Sequence, residues 1–378
     1  MKRILVATIA ATFASFAGIA AAAPSNAVGP APTVDVMTQN QYLGADIAPL
    51  IAAIGEGPEA FNAAVIKALM QIAANQTPAR VRMLSEQILA RRPHLVGLQE
   101  VWEFACFPDS QAKVNHCDNP MVKGAFSNHL ALTESALAGN YVLKGVVQNF
   151  TATVPFSFDG VNLAYLSVKD RDVIFARSDV TATPFKQYPC SKPSQDGCNF
   201  EIDLPLGALG SVKRGFVMVD ADVAGAPYRF VNTHLEVEAG GPIPGEIQAA
   251  QAIQLTQTVL GTTPADRRLI VVGDMNSSPN DAPSSLPTPY QIFYAAGLAD
   301  AWLLRPGDVA GLTCCQLEDL SNRVSVLVRR IDLILTREVP PRVKDARVIG
   351  EVAADRLAPP GRGLWPSDHA SVAAGLQY

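Results

Sequence analysis

An α/β (α+β) fold built on packed sheets is what this sequence predicts, on three observations. Many short apolar runs have strand character and are bounded by turn residues; several follow one another with no helix between; and a few segments instead repeat apolar residues at helical spacing. At 378 residues, 48% hydrophobic and 17% charged, the chain is long enough for a substantial core and unlike a disordered one.

In chain order, residues 1–22 read as a secretory signal peptide. Lys2 and Arg3 form the positive start, Ile4 to Ala20 is apolar and small, and Ala20-Ala21-Ala22 offers a cleavage pattern. A membrane anchor is the alternative, but the stretch is short, Ala-rich and followed by no basic stop-transfer cluster. Residues 23–33 are a Pro/Ala linker, and 34–378 read as one domain. Thr33 to Asn40 is a strand. Phe61, Val65, Leu69 and Ile72 predict a helix over 58–74. A second helix follows, with Thr77 as N-cap, Pro78 in the first turn and Val81, Leu84 and Ile88 on one face. Strands are predicted at 94–99 and near 141–148, 171–176, 215–223, 228–234, 268–273, 331–335 and 345–349, with a helix near 245–260. Residues 104–120, 183–208 and 277–290 are rich in Pro, Cys, Ser and Asn and read as surface loops.

The formal net charge is −5, so nothing general pulls the chain toward DNA or anionic lipid. Of the six cysteines, Cys106/Cys117 and Cys190/Cys198 each flank a short polar loop and suit disulfides, in keeping with export. Cys314 and Cys315 are adjacent, and their pairing is left open. No Cys/His spacing of a zinc site is present.

Five segments share one pattern, an apolar run ending in residues of catalytic type: MTQN (37–40), VGLQE (96–100), VNTHLE (231–236), LIVVGDMNSSP (269–279) and WPSDH (365–369). Each has an ordinary reading. Asn40 suits a turn, Glu100 a helix start, His234 a core histidine, Asp274 and Asn276 an Asx-turn, and Asp368 a cap. Together they supply what phosphoester hydrolysis demands. Carboxylates and an Asn carbonyl suit a hard cation such as Mg²⁺, Mn²⁺ or Ca²⁺. A carboxylate or imidazole can deprotonate water, and Asn, Arg and His can take up charge on phosphoryl oxygens.

In this order the motifs resemble the endonuclease/exonuclease/phosphatase superfamily, which spans DNase I-like nucleases, abasic-site endonucleases, inositol polyphosphate phosphatases and bacterial sphingomyelinases. The resemblance runs from about Val34 to Val372. It implies a four-layer sandwich, two packed mixed sheets flanked by helices, with the site at one end. It implies a metal held by Asn40, Glu100 and Asp368, and a His234 that contacts the scissile phosphate. Asp274 would activate water, Asn276 would steady it and the phosphate, and Asp332 would orient His369. Arg214, ahead of a strand, matches a phosphate-binding Arg, with a surface Arg as the alternative. No catalytic tyrosine can be placed; Tyr165 and Asn162 are the nearby candidates. The helical stretch 42–92 is longer than usual for the family.

A calcineurin-like metallophosphoesterase would need an early Asp-x-His pair and a GNH segment, and neither is present. A non-catalytic module on the same fold would be expected to lose a carboxylate or histidine that this chain keeps. The expected partner is a phosphoester substrate, whether nucleic acid, phospholipid or small phosphate ester. No strong Lys/Arg cluster marks a nuclease groove. Phe150, Phe156 and Phe158 could be a membrane-inserting loop or core. No protein partner is implied, and a secreted or periplasmic monomer is expected.

Overall fold

A computed structural model describes residues 33–207, 210–237, 242–283, 286–357 and 363–378, all within the compact unit Ala31–Tyr378. The expected signal peptide, and the linker up to residue 32, lie outside the described residues. β1 (Val34–Asn40) leads to α1 (Ala48–Ala53), α2 (Pro58–Ala74), α3 (Thr77–Arg91), β2 (Leu95–Gln99) and β3 (Glu103–Pro108). Next come α4 (His129–Leu137), β4 (Tyr141–Phe156), β5 (Ala164–Arg177) and β6 (Thr181–Pro184). Four very short strands follow: β7 (Pro193–Ser194), β8 (Gly197–Asn199), β9 (Leu204–Pro205) and β10 (Ser211–Val212). The chain continues through β11 (Gly215–Val223), β12 (Ala226–His234), α5 (Pro242–Thr262), β13 (Arg268–Asp274) and α6 (Pro289–Ala295). It ends with β14 (Ala299–Asp300), β15 (Asp332–Thr336), β16 (Arg342–Ile349) and β17 (Ser371–Gln377).

One sheet has the order β16-β17-β1-β2-β5-β3, with β4 also paired to β5; the other runs β14-β15-β13-β12-β11-β8-β7, with β6 also on β11. Side chains alternate between the faces of each strand. Val34, Val36 and Leu95 therefore turn inward onto Phe230, Ile270 and Val272 of the other sheet. Met37, Val96 and Leu98 turn outward onto Ile88 of α3 and Leu137 of α4. On the far side Val231, Val271 and Leu333 pack on Leu255 and Val259 of α5 and Phe293 of α6. The result is the four-layer sandwich. Strands covered on both faces read as unbroken apolar runs, as Leu269 to Val272 does.

A polar bolt crosses between the sheets. Asn232 on β12 donates from Nδ2 to the carbonyls of Leu98 and Val173, each at 2.9 Å, and its Oδ1 accepts from Gln99 Nε2 at 2.6 Å. Gly97 makes room for it, since a Cβ there would stand 2.6 Å from Asn232 Oδ1.

Several expectations need correction. The N-cap of α3 is Gln76, in the left-handed region, and Thr77 is the first helical residue, its hydroxyl accepting from Arg80. Part of the 104–120 loop is strand β3, because antiparallel pairing with β5 sets Cys106 opposite Leu166. The 183–208 segment likewise contains a β7–β8 hairpin, and α6 begins within 277–290. β4 extends to Phe156, which is 1% exposed, and Phe150 and Phe158 pack around the same cluster, so these rings are core. Cys106–Cys117 and Cys190–Cys198 are bonded, and Cys314 is bonded to Cys315. Helix α4 and strand β17 have no counterpart among the sequence-predicted elements.

Candidate active site

Strand pairing brings the five polar segments to one edge. β1 and β2 are parallel, with Asn40 beside Gln99; β12 and β13 are parallel, with His234 beside Asp274; and β15 sets Asp332 opposite Asp274. Parallel neighbours present their carboxyl ends together. Gly273 lets β12 and β13 close at that end: a Cβ would stand 1.9 Å from the Thr233 carbonyl oxygen. Tyr42, Glu100 and Asn276, just past their strands, have φ of 60°, 55° and 48°. Non-glycine residues in this region each carry about 1–3 kcal/mol of strain, which surrounding contacts must offset.

Those contacts are present. Asn40 Nδ2 lies 3.1 Å from both Glu100 Oε1 and Asp274 Oδ2, while its Oδ1 accepts from the Tyr42 amide at 2.9 Å. Glu100 Oε2 accepts from the Leu43 amide at 2.8 Å and from Trp102 Nε1 at 3.3 Å. Asp274 Oδ1 accepts from the Asn276 amide at 2.9 Å. Ser367 ties the last segment in, donating to the Asn40 carbonyl at 2.7 Å and accepting from the His369 amide at 3.1 Å. Arg80 of α3 locks both sides from behind, its guanidinium donating to the carbonyls of Gln41, Tyr42, Asn75 and Pro366.

The two histidines are set to opposite charge states. Burial depresses His234 well below its ordinary pKa, and Arg214 and His369 press it further. Arg214 donates to His234 Nδ1 at 3.0 Å, which leaves the ring proton of the neutral imidazole on Nε2. That Nε2 lies 3.5 Å from Asp274 Oδ2 and 3.1 Å from the Asn276 amide group. For His369, burial alone would favour the neutral ring, but Asp332, Asp274 and Asp368 outweigh it and hold the imidazolium. Its Nδ1 lies 2.8 Å from Asp332 Oδ2 and 3.7 Å from Asp274 Oδ2. Burial pushes Asp274 up to about 7, with His369 pulling against it and Asp332 adding to it. Asp368 is pushed up to about 6 by burial, with His369 and Arg80 opposing and Glu100 and Asp332 adding.

The donor set fits a hard divalent cation. Buried Asp274 and half-buried Glu100 and Asp368 crowd negative charge into one region, and their oxygens, with the Asn40 amide beside them, are the ligands Mg²⁺-like ions take. With its present amide orientation Asn40 turns nitrogen toward the carboxylates; a half-turn of the amide would present its oxygen. Asp274, Asp332 and His369 also bring ligand atoms within 4.8 Å of one another, but His369 is protonated there, which suits a dyad better than a metal ligand. Cys315 Sγ is 3.8 Å from His369 Nε2 but belongs to a disulfide and offers no thiolate.

All nine candidate site residues lie in or beside this cluster. Arg214 is no surface arginine: its side chain is 13% exposed, and it faces Glu236 at 3.5 Å and Asp170 at 3.8 Å. Tyr165 and Asn162 do not join the cluster through any hydrogen bond, being held by Asp109 and Asp159. Leu43 lies in YLGAD (42–46), which the sequence offers either as lining the site or as the start of the long helical stretch; its amide reaches Glu100. Arg80, Trp102, Ser367, Asp170 and Glu236 were missed. Ser367 and Glu236 stood within the quoted segments; the others carry no local signal, because their roles arise from tertiary contact.

A buried carboxylate cluster with a neutral and a charged histidine at the strand ends of a four-layer sandwich defines a metal-dependent hydrolase of phosphoester bonds. The profile of the endonuclease/exonuclease/phosphatase family matches residues 60–369, and the chain belongs to that family. The fold is similar to an endonuclease/exonuclease/phosphatase from Beutenbergia cavernae DSM 12333, at 17% identity and TM-score 0.52, covering 91% of this chain and 71% of that one. It is similar also to a family protein from Leptotrichia buccalis C-1013-b, at 14% identity and TM-score 0.50, covering 91% and 100%. Truncated Caenorhabditis elegans TDP2 aligns at 15% identity and TM-score 0.49, covering 92% and 98%. No curated protein sequence matches significantly.

Proposed function

We propose that the protein is an exported, monomeric, Mg²⁺-dependent phosphodiesterase in which Asp274 is the general base. The observation that carries this reading is the setting of Asp274. Its carboxylate is oriented by Asn40 and the Asn276 amide and flanked by the Asp332–His369 pair. Its pKa of about 7 suits a base at neutral pH. Asn40, Glu100 and Asp368 would hold the cation, which when bound would supply Lewis-acid stabilisation of negative charge on the phosphoester. Asp274 takes a proton from water, the water oxygen bonds to phosphorus, the ester P–O bond breaks, and the leaving oxygen is protonated from solvent. His234, through Nε2–H, His369 as imidazolium, and Arg214 stabilise the charge gathering on the phosphoryl oxygens. The leader-like 1–22 segment and the disulfides at Cys106–Cys117 and Cys190–Cys198 support export.

Turnover of bis-p-nitrophenyl phosphate tests this. We expect hydrolysis that EDTA abolishes and Mg²⁺ restores, with Glu100→Ala and Asp274→Asn each slowing kcat by roughly 10²–10⁴-fold. Equal rates with and without EDTA, or a Glu100→Ala variant as fast as wild type, would overturn it.

A further inference from the structure

An apolar cavity of about 140 Å³ opens beside the catalytic cluster. Its roof is the helical stretch between β1 and α3: Leu50 and Ile51 of α1, and Phe61, Val65 and Leu69 of α2. Its floor is the helix-facing side of β3, β4 and β5, including Phe104, Ala152 and Val168. Among the described residues, the only charged ones lining it are Asp170 and Arg214. Arg214 also donates to His234. Leu43 and Trp102 line the cavity too, and both donate hydrogen bonds to Glu100. The cavity therefore ends beside Glu100 and His234, which the proposed mechanism places at the cation and the phosphoryl oxygens.

From this juxtaposition we infer that the substrate is a phospholipid, with one hydrocarbon chain threaded into the cavity while its phosphodiester lies at Asp274. This rests on the phosphodiesterase reading and names its substrate class. The occupant is read from the lining. A nucleobase or sugar would bury polar edges with no partner beyond Asp170 and Arg214, at a cost of several kcal/mol. A hydrocarbon chain has none to bury. The volume is that of a benzene-sized apolar cavity, room for about the first six carbons of one chain, with the rest of the chain outside. Ile47 and Ile51, which line the cavity, are 36% and 39% exposed, so the apolar surface continues outward toward a lipid.

Two measurements test the inference on the intact chain. The first is calorimetric binding of ethyl, hexyl and decyl phosphate in EDTA, where no turnover occurs. Affinity should rise about fourfold per added methylene up to the capacity of the cavity, with an increasingly negative heat-capacity change. The second is Mg²⁺-dependent hydrolysis of p-nitrophenyl alkyl phosphates of the same chain lengths, alongside bis-p-nitrophenyl phosphate. Ala68→Phe and Ala152→Phe, which fill the cavity from roof and floor, should remove the chain-length gain by at least tenfold for the decyl ester. Both should leave bis-p-nitrophenyl phosphate turnover and Tm near wild type. Phosphatidylcholine vesicles should yield soluble head group with the wild type and far less with either variant. Turnover and binding that ignore chain length, or cleavage of single-stranded DNA in preference to vesicles, would overturn the lipid assignment while leaving the phosphodiesterase intact. Absence of turnover with every ester would instead remove the underlying reading.

Discussion

The pairing of Asp332 with His369 decides how much positive charge the site keeps. Asp332 is the largest force opposing burial of the imidazolium. Asp332→Asn should therefore lower kcat by about 10²–10³-fold, with KM for bis-p-nitrophenyl phosphate little changed. It should also move the alkaline limb of the pH profile downward, since His369 would lose its proton at lower pH. Steady-state kinetics across pH checks both; an unmoved limb would separate His369 from the reaction. At this scale the sequence was informative, because carboxylate, amide and imidazole side chains at strand ends carry their chemistry in their identity. Arg80 was opaque. It stands on a regular helical segment, and nothing local says that its guanidinium turns inward to four backbone carbonyls.

Among elements, α3 does more than cover a sheet. Through Arg80 it fastens the turn after β1, which follows Asn40, to Pro366, which precedes the Ser-Asp-His segment. Burial lowers the Arg80 pKa to about 10, so it stays charged at neutral pH. Arg80→Met would strip partners from buried carbonyls and should cost at least about 3 kcal/mol. Urea unfolding would show this, and activity in the surviving folded fraction should fall as well; Arg80→Lys should not restore either, lacking the planar fork. Elements with strong periodicity were legible: α2 spans Pro58–Ala74, as its Phe61, Val65, Leu69 and Ile72 spacing predicts. β3 was not, since Glu103 to Pro108 has little intrinsic strand pattern and owes its conformation to β5. Nor could spacing reveal that α1 and α2 stand off the sheet and leave a cavity, because apolar residues facing a void and facing a neighbour look alike.

For the whole molecule, buried titratable groups oppose one another across the pH range. His129 and His234 are held neutral by burial, so the unfolded chain takes up protons the folded one refuses, and stability falls as pH drops below about 6.5. Asp170, pushed to about 7 by burial, and Asp172, pushed well above its ordinary range by burial and by Asp170, act in the other direction. Their raised pKa favours folding while they are protonated, and that contribution is lost as pH rises through their folded values. In EDTA, the urea midpoint should therefore carry a declining component between about pH 4 and about pH 7, and Asp172→Asn should flatten that decline. A steeper decline in the variant would reverse the assignment.

The bolt at Asn232 has a consequence for how such an enzyme ages under heat. Asn40 and Glu100 come from one sheet, and His234 and Asp274 from the other. Asn232 binds the backbone of β2 and β5 from β12, two residues before His234. Neither sheet can loosen alone without pulling apart both halves of the catalytic centre. Thermal loss of activity should therefore coincide with global melting, and activity lost well below the melting transition followed by circular dichroism would contradict this.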